Sequence, residues 1–332
     1  MIGYQTSTGE MPQNCICGYR GLLLIVAFGL LVCCGAQAQF NYTPNGDGTV
    51  TLTGYTGGGA HLSIPHKIDG HKVSAIGAWA FNENSSIKSL TLPESVTSIG
   101  DFAFENCSSL DSITFGNGLT SIATSFGGSA LTSVKIPRGV ISIQGSFWSC
   151  LNLSNVTIPA SVSSIENNFY YCLNLQTIAV DSRNRVYSSA EGVLFNKAQT
   201  ALIVCPAGKS GNYVSPHSVT RIGDYAFSWC MDLTGVVIPE GVTNIGFATF
   251  FSCMGLSSIT IPASVTSIDD WAFSQCSNLT AIYFRGNAPI LGGLDLFFND
   301  NLNRILAYYL PGTTGWEEFT AMTGVPAVPW AP

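Results

Sequence analysis

Hydrophobic and polar positions alternate in short bursts along most of this chain, and the bursts recur in a fixed phase. Leu131-x-x-Val134-x-Ile136 and Leu256-x-x-Ile259-x-Ile261 put apolar side chains on one face of an extended segment, the mark of a half-buried strand. Pro137 and Pro262 follow at once and end the strand, because proline has no amide hydrogen to give to a ladder. Val140-x-x-Ile143 and Val265-x-x-Ile268 then begin a second, shorter extended piece. The text that closes each unit, Ala-Phe-x-x-Cys-x-x-Leu as at Ala226–Leu233, spaces apolar residues by three and predicts a 3₁₀ or helical turn.

The best-kept stretch runs from Ser215 to Phe284, and its period is 23 residues. Pro216, Pro239 and Pro262 keep that interval, as do Phe227, Phe250 and Phe273, and Cys230, Cys253 and Cys276. Self-similarity at such a period means stacked units, none of which can bury its apolar side alone. The fold class expected is a repeat solenoid, β-rich and leucine-rich-repeat-like. It should be a right-handed coil of short strands and 3₁₀ or helical turns, about nine turns long. The phenylalanines should form one internal spine and the cysteines another.

A domain plan follows from where the phase starts, breaks and fades. Asn45-Gly46-Asp47-Gly48 sits between Phe40–Thr43 and the alternating run Thr49–Thr53, so residues 39–60 read as a β-hairpin cap over the first coil. Residues 61–284 form the solenoid. Within it, the interval from Pro159 to Pro216 is long and its text changes. Residues 181–215 are therefore expected to be a variant repeat carrying an extra hairpin, with a turn at Asp181-Ser182-Arg183-Asn184. From residue 285 to 332 the period fades into an expected C-terminal cap.

Composition alters this picture in two places. Apolar residues make up 46% of the chain and charged ones only 10%, against a usual quarter, so Ser, Thr, Asn and Gly must cover much of the surface. The formal charge is −7 and no Lys/Arg cluster is present, which argues against a nucleic-acid partner held by its phosphates. The other place is the start of the chain. Gly21–Cys34 is an apolar run preceded by Arg20 and followed by Ala36-Gln37-Ala38. It is short for a membrane span and has the length of a signal-peptide core. Residues 1–38 are thus expected to be a signal peptide cleaved before Gln39. The mature chain should be secreted or at the cell surface, with no transmembrane segment.

Of the 11 cysteines, four would leave with the signal segment. Six of the rest (Cys107, Cys150, Cys172, Cys230, Cys253 and Cys276) share one repeat position. No Cys-x-x-Cys pair exists, so zinc is disfavoured. These thiols are expected to be buried as small hydrophobes, with bridging between stacked neighbours left open.

The pattern Ile-Pro-x-Ser-Val-Thr-x-Ile-Gly-x-x-Ala-Phe-x-x-Cys-x-x-Leu-x-x-Ile closely resembles the BspA-like leucine-rich repeats of bacterial and some protist surface proteins. Tyr187–Lys197 resembles that family's expanded repeat, and Tyr308–Trp316 a terminus seen in it. The resemblance covers roughly residues 50 to 320. It implies a secreted or surface-attached solenoid, with adhesion or protein binding proposed for some members, and it supplies no catalytic residues. Departures are Asn84 and Ser129 in place of Cys, and the Gly-rich Phe126-Gly127-Gly128 unit.

Candidate chemistry is sparse. His61, His66 and His71 crowd a turn without the cysteine or paired carboxylate that a metal site would add. No Gly-x-Ser-x-Gly, His-Glu-x-x-His, P-loop or dinucleotide fingerprint occurs. No enzyme activity, cofactor or metal is expected, and a monomer is. Binding faces remain. The outward positions of the long strand include Thr91, Thr114, Lys135, Thr157, Thr260 and Tyr283, with Ala179 and Val237 in the same phase. A second candidate is an aromatic row just before the spine: Trp79, Phe102, Tyr225 and Trp271. The function expected is an extended surface for protein–protein interaction or adhesion. The alternatives are a carbohydrate-binding adhesin, favoured by aromatics exposed in line, and a passive spacer in a cell-surface layer.

Overall fold

A computed structural model describes residues 39–166, 168–298 and 302–331. The expected signal segment, residues 1–38, lies outside them. Each apolar burst becomes a strand with its hydrophobes turned inward: Ser133–Lys135 reads exposed, buried, exposed, and Asn155–Ile158 continues the same alternation. Successive long strands pair in parallel and in phase, so like stacks on like. Val134 faces Val156, which faces Ile178, and Ile259 faces Ile282, which faces Ala307. Three runs of three, three and six such strands follow one another, from His61–Ser63 to Ala327–Pro329.

That makes twelve long strands rather than about nine turns. The difference arises mainly at the C-terminal end. Leu306–Tyr309 pairs with Ala281–Phe284, and Ala327–Pro329 pairs with Leu306–Tyr309. Neither strand is followed by the Pro-x-x-Val-x-x-Ile text that marks the other units. A parallel ladder asks only for extended backbone and inward apolar residues such as Ile305 and Ala307.

Prolines end the long strands, and their carbonyls start the next turn. Val96, Val140, Val219, Val242 and Val265 each donate an amide hydrogen to the carbonyl of the proline three residues before. Those valines and the isoleucines three further on (Ile99, Ile143, Ile222, Ile245, Ile268) are buried. The short strands holding these isoleucines form the second wall of the coil.

The segment around each spine phenylalanine is a turn whose amides alternate between two directions. Ala80 and Asn82 bond back to Gly77 and Trp79, in the 3₁₀ manner, whereas Trp79, Phe81 and Glu83 donate to Asp101, Ala103 and Glu105 of the next coil. Left-handed backbone flanks the phenylalanine and produces this alternation. Positive φ occurs at Trp79 and Glu83, Phe102 and Asn106, Tyr225 and Trp229, Ala248 and Ser252, and Trp271 and Gln275. Such geometry costs on the order of 1 kcal/mol or more per residue away from glycine. The inter-coil hydrogen bonds it permits hold it in place.

The phenylalanine rings stack inside as a column. Centroid separations are 4.8 Å for Phe81–Phe104, 5.2 Å for Phe104–Phe126, 5.8 Å for Phe126–Phe147 and 6.2 Å for Phe147–Phe169. The column resumes as Phe227–Phe250–Phe273, at 5.2 and 5.4 Å. Beside it, thiols donate to the carbonyl of the preceding coil's phenylalanine: Cys107 to Phe81 (3.1 Å), Cys172 to Phe147 (2.9 Å), Cys253 to Phe227 (3.1 Å) and Cys276 to Phe250 (3.1 Å), whereas Cys230, which follows the variant coil, reaches the carbonyls of Cys205 and Pro206 at 3.7 Å. Where Ser129 replaces cysteine, its hydroxyl meets Cys150 Sγ at 3.3 Å. The cysteine column is thus a set of hydrogen-bond donors to buried carbonyls as well as packing. Burial raises the thiol pKa values, to about 12 at Cys107 and about 11 at Cys150.

Both ends of the described stack are covered. Phe40–Pro44 and Thr49–Tyr55 pair antiparallel, and the second pairs in parallel with His71–Ile76. Phe40 and Tyr55 extend the ring column, 5.2 Å apart and with Tyr55 5.7 Å from Phe81. At the other end the helix Trp316–Thr323 lays Trp316 and Phe319 over Phe284, at 4.9 and 5.5 Å.

Phe250→Ala should destabilise the fold by ~3–5 kcal/mol in urea unfolding; a loss below ~1 kcal/mol would contradict a close-packed column. Thiols whose folded pKa values are raised keep a proton that the unfolded chain gives up. Their contribution is therefore intact below the unfolded value of about 8.5 and is lost as pH rises toward about 11–12. Urea midpoints should fall between pH 9 and 11 (~two units of pH above the unfolded value), and serine at Cys107 and Cys150 should flatten that fall.

Candidate functional site

The outward strand positions form one surface in the register expected of a stack. Thr91 pairs with Thr114, Lys135 with Thr157, and Val237 with Thr260, which faces Tyr283. Their character changes along the rod. The earlier part shows small hydroxyls, with Thr91, Thr114 and Thr157 exposed. The later part is apolar and aromatic except at Thr260: Val214 (55% exposed) and Val237 (47%) precede it, and Tyr283 and Tyr308 follow with their rings stacked at 4.9 Å. Trp330 adds a third ring, 5.0 Å from Tyr283. Val214 was legible in the sequence, since it precedes Pro216 by two residues as Val237 precedes Pro239. Tyr308 and Trp330 were not, because the repeat text has faded before them.

The aromatic row divides into two groups. Trp79 and Phe102 stack at 4.5 Å. Tyr225 and Trp271 are linked through Phe247, which lies 5.5 Å from the one and 6.3 Å from the other. Trp271 also packs on Phe251 and Phe298. Trp79 and Tyr225 are exposed, whereas Phe102 and Trp271 are half-buried between coils. Thr124 and Gly145 hold the equivalent place in coils between the two groups, so no continuous aromatic stripe runs the length of the rod.

A third feature was missed from sequence: a cleft where the stack is interrupted. In a regular coil, residues 223–232 join the strand Arg221–Ile222 to the strand Leu233–Val237 and carry the Phe turn. In the variant coil only residues 205–210 join Ala201–Val204 to Gly211–Val214, and no phenylalanine is among them. The ring column therefore has a missing rung between Phe169 and Phe227. The buried core divides there too, with Leu194 in one cluster and Val193 and Phe195 in the other.

The vacancy opens as a cleft of about 810 Å³. Phe169, Ile203, Val204 and Cys205 line it on the apolar side, together with Trp148, Tyr170, Tyr225, Glu166, Arg221 and Asp224. Tyr170 and Tyr225 meet edge to face, 6.2 Å apart at 89°. A Cβ on Gly127 would fall 2.2 Å from Trp148 Nε1, so the glycine-rich departure in that unit makes room for the indole. The Asn168 amide is engaged within the protein, donating to the Ile143 carbonyl (2.8 Å) and accepting from the Ser146 amide (3.0 Å). Asp224 Oδ1 accepts from the Phe247 amide at 3.1 Å. The ion pairs among the described residues, Arg183–Asp181 and Arg285–Glu240, involve none of the cleft's charges.

The variant coil is tied to the preceding one by Asn184, which is fully buried. Its Nδ2 donates to the carbonyls of Pro159 (2.9 Å) and Val162 (2.8 Å), and its Oδ1 accepts from the amides of Val186 (2.9 Å) and Tyr187 (2.8 Å). The Ile165 amide in turn donates to the Tyr187 hydroxyl at 3.1 Å.

Two walls of parallel strands wound around one apolar column define a leucine-rich-repeat solenoid. A family model for the BspA type leucine-rich repeat region matches residues 72–194 and 209–308, in six copies. The chain belongs to that family. The unmatched interval, residues 195–208, contains Ile203, Val204, Cys205 and Ala207 of the cleft lining. Similar solved structures include a leucine-rich repeat protein from Eubacterium ventriosum, 23% identical, with 89% of this chain and 84% of that one covered and a TM-score of 0.67. The pneumococcal vaccine antigen PcpA is 19% identical, with 88% and 97% covered and a TM-score of 0.59. At these identities the likeness is one of fold. No curated protein matches the chain. Among the described residues no helix is long and apolar enough to cross a membrane.

Asn184→Ala should cost more than about 2 kcal/mol in urea unfolding, because it strands buried amides and carbonyls of two adjoining coils. A loss within ~0.5 kcal/mol, the range of ordinary surface changes, would show that the variant coil is held by packing alone.

Proposed function

We propose that this chain is exported and displayed outside the cell, where its strand face binds a protein partner without catalysing a reaction. The observation that carries the reading is the change in that face along the rod. Val214, Val237, Tyr283 and Tyr308 occupy outward positions that hold small hydroxyls, Lys135 or Ala179 in earlier coils. Thr satisfies a strand's preference for branched side chains, so exposed valines and half-buried tyrosines in these outward positions answer to something else. The stacked tyrosines match the anchors that dominate protein interfaces, large side chains with a polar tip, and the exposed valines beside them add apolar area.

Twelve strands at a spacing of ~4.8 Å give a surface on the order of 50 Å long. That length suits a partner that lies along the rod. Membership in the BspA-type family supports display at the surface, and the low charge content leaves shape and apolar contact as the means of recognition.

Two measurements test the reading. When the chain is expressed with its own N-terminus in an exporting bacterial host, mass spectrometry of the secreted product should find Gln39 first; intact residues 1–38 on an intracellular product would overturn export. Residues 39–332, immobilised against an array of purified surface and extracellular proteins, should retain a partner. The double variant Val237→Asp/Tyr283→Asp should weaken that partner by at least roughly tenfold, the loss of one anchor, with an unchanged circular dichroism spectrum. Unaltered binding would remove the face from consideration.

A further inference from the structure

We infer that the cleft left by the missing phenylalanine turn is a binding site for a short, uncharged oligosaccharide. The inference is independent of the strand-face reading, because the cleft is built from the short-strand side and the turn segments of the flanking coils.

A solenoid that merely skipped a turn would be expected to close the gap with apolar side chains, since a void forfeits packing on every wall. Here the gap stays open, and its lining carries, beside apolar residues, three aromatic rings, two carboxylates and a guanidinium: Trp148, Tyr170, Tyr225, Glu166, Asp224 and Arg221. Tyr170 and Tyr225 are 42% and 41% exposed at the cleft. Set at right angles, they offer an incoming ring one flat face and one edge. Ser228 contributes a hydroxyl oxygen that is buried without a hydrogen-bond partner. An apolar lining with a few convergent polar groups, in a volume between about 300 and 1,000 Å³, is the usual form of a small-molecule site.

The chemistry of the lining selects the ligand class. A sugar ring has an apolar C–H face that lies on an aromatic ring, and hydroxyls that both donate and accept. Carboxylates at Glu166 and Asp224 accept from such hydroxyls, and Arg221 donates to them. Charge-assisted hydrogen bonds of this kind are the strong ones. Two carboxylates against one guanidinium disfavour a phosphate, a sialylated glycan or an acidic peptide. A purely apolar ligand would take the same charges out of water without pairing them.

The test uses residues 39–332. A glycan array should retain neutral oligosaccharides over anionic ones, and titration with the retained sugar should quench Trp148 fluorescence. Tyr170→Ala and Glu166→Gln, both at exposed positions, should each weaken the sugar by roughly tenfold while leaving the melting temperature close to that of the parent. Gly127→Val, which displaces the indole, should also weaken it. The strand-face variant Val237→Asp/Tyr283→Asp should bind sugar normally, so either reading can fail alone. Retention of no neutral glycan, or affinity unaltered in both cleft variants, overturns the assignment. Preferential retention of basic peptides or quaternary ammonium compounds overturns the ligand class.

Discussion

The structure depends on hydrogen bonds that no repeat can complete alone. In the turn segments every second amide points out of its own coil and is satisfied only by the carbonyl of the next, as Phe81 is by Ala103 and Phe250 by Ala272. The thiols close the same circuit from the other direction, Cys253 donating to Phe227 and Cys276 to Phe250. A buried amide or carbonyl left without a partner costs about 1–3 kcal/mol, so the stack is compelled to continue until something other than a repeat ends it. The antiparallel strands Phe40–Pro44 and Thr49–Tyr55 cover one described end, and the helix Trp316–Thr323 packs on Phe284 near the other.

This dependence explains the strained backbone beside the spine. Trp79, Phe102, Tyr225 and Trp271 stood out in sequence as an aromatic row, and each proves to have positive φ. The left-handed turn aims alternate amides along the rod axis, and the large ring at that position packs over its neighbour in the same step. Part of the row is therefore architecture. Half-buried Phe102 and Trp271 act as spacers between coils, and Tyr225 alone of the four lies at the cleft.

What could be read from sequence follows the same division. The strand face was legible, because alternation of period two places Thr91, Lys135, Thr157 and Thr260 outward whatever their neighbours do. The phenylalanine and cysteine columns were legible because a fixed period in sequence becomes a column in space. The last strands, Leu306–Tyr309 and Ala327–Pro329, escaped because pairing is satisfied by backbone, and backbone leaves little trace in residue type. The cleft escaped for a different reason: it is made by residues the chain does not have. Its sequence signal was the long interval from Pro159 to Pro216, in which no second Phe-x-x-Cys segment follows Phe169–Cys172.

The missing rung also frees one quantity from the others. Each coil touches only the coils on either side of it, and the cleft is assembled from a few coils next to the break. Inserting or deleting 23-residue copies elsewhere, for instance copies of the coil that begins at Pro262, would change the reach of the rod without altering the geometry of that opening. Length and recognition can therefore drift separately in chains of this design. A lineage can vary how far the molecule extends while keeping the same pocket, or reshape the pocket on a rod of constant length.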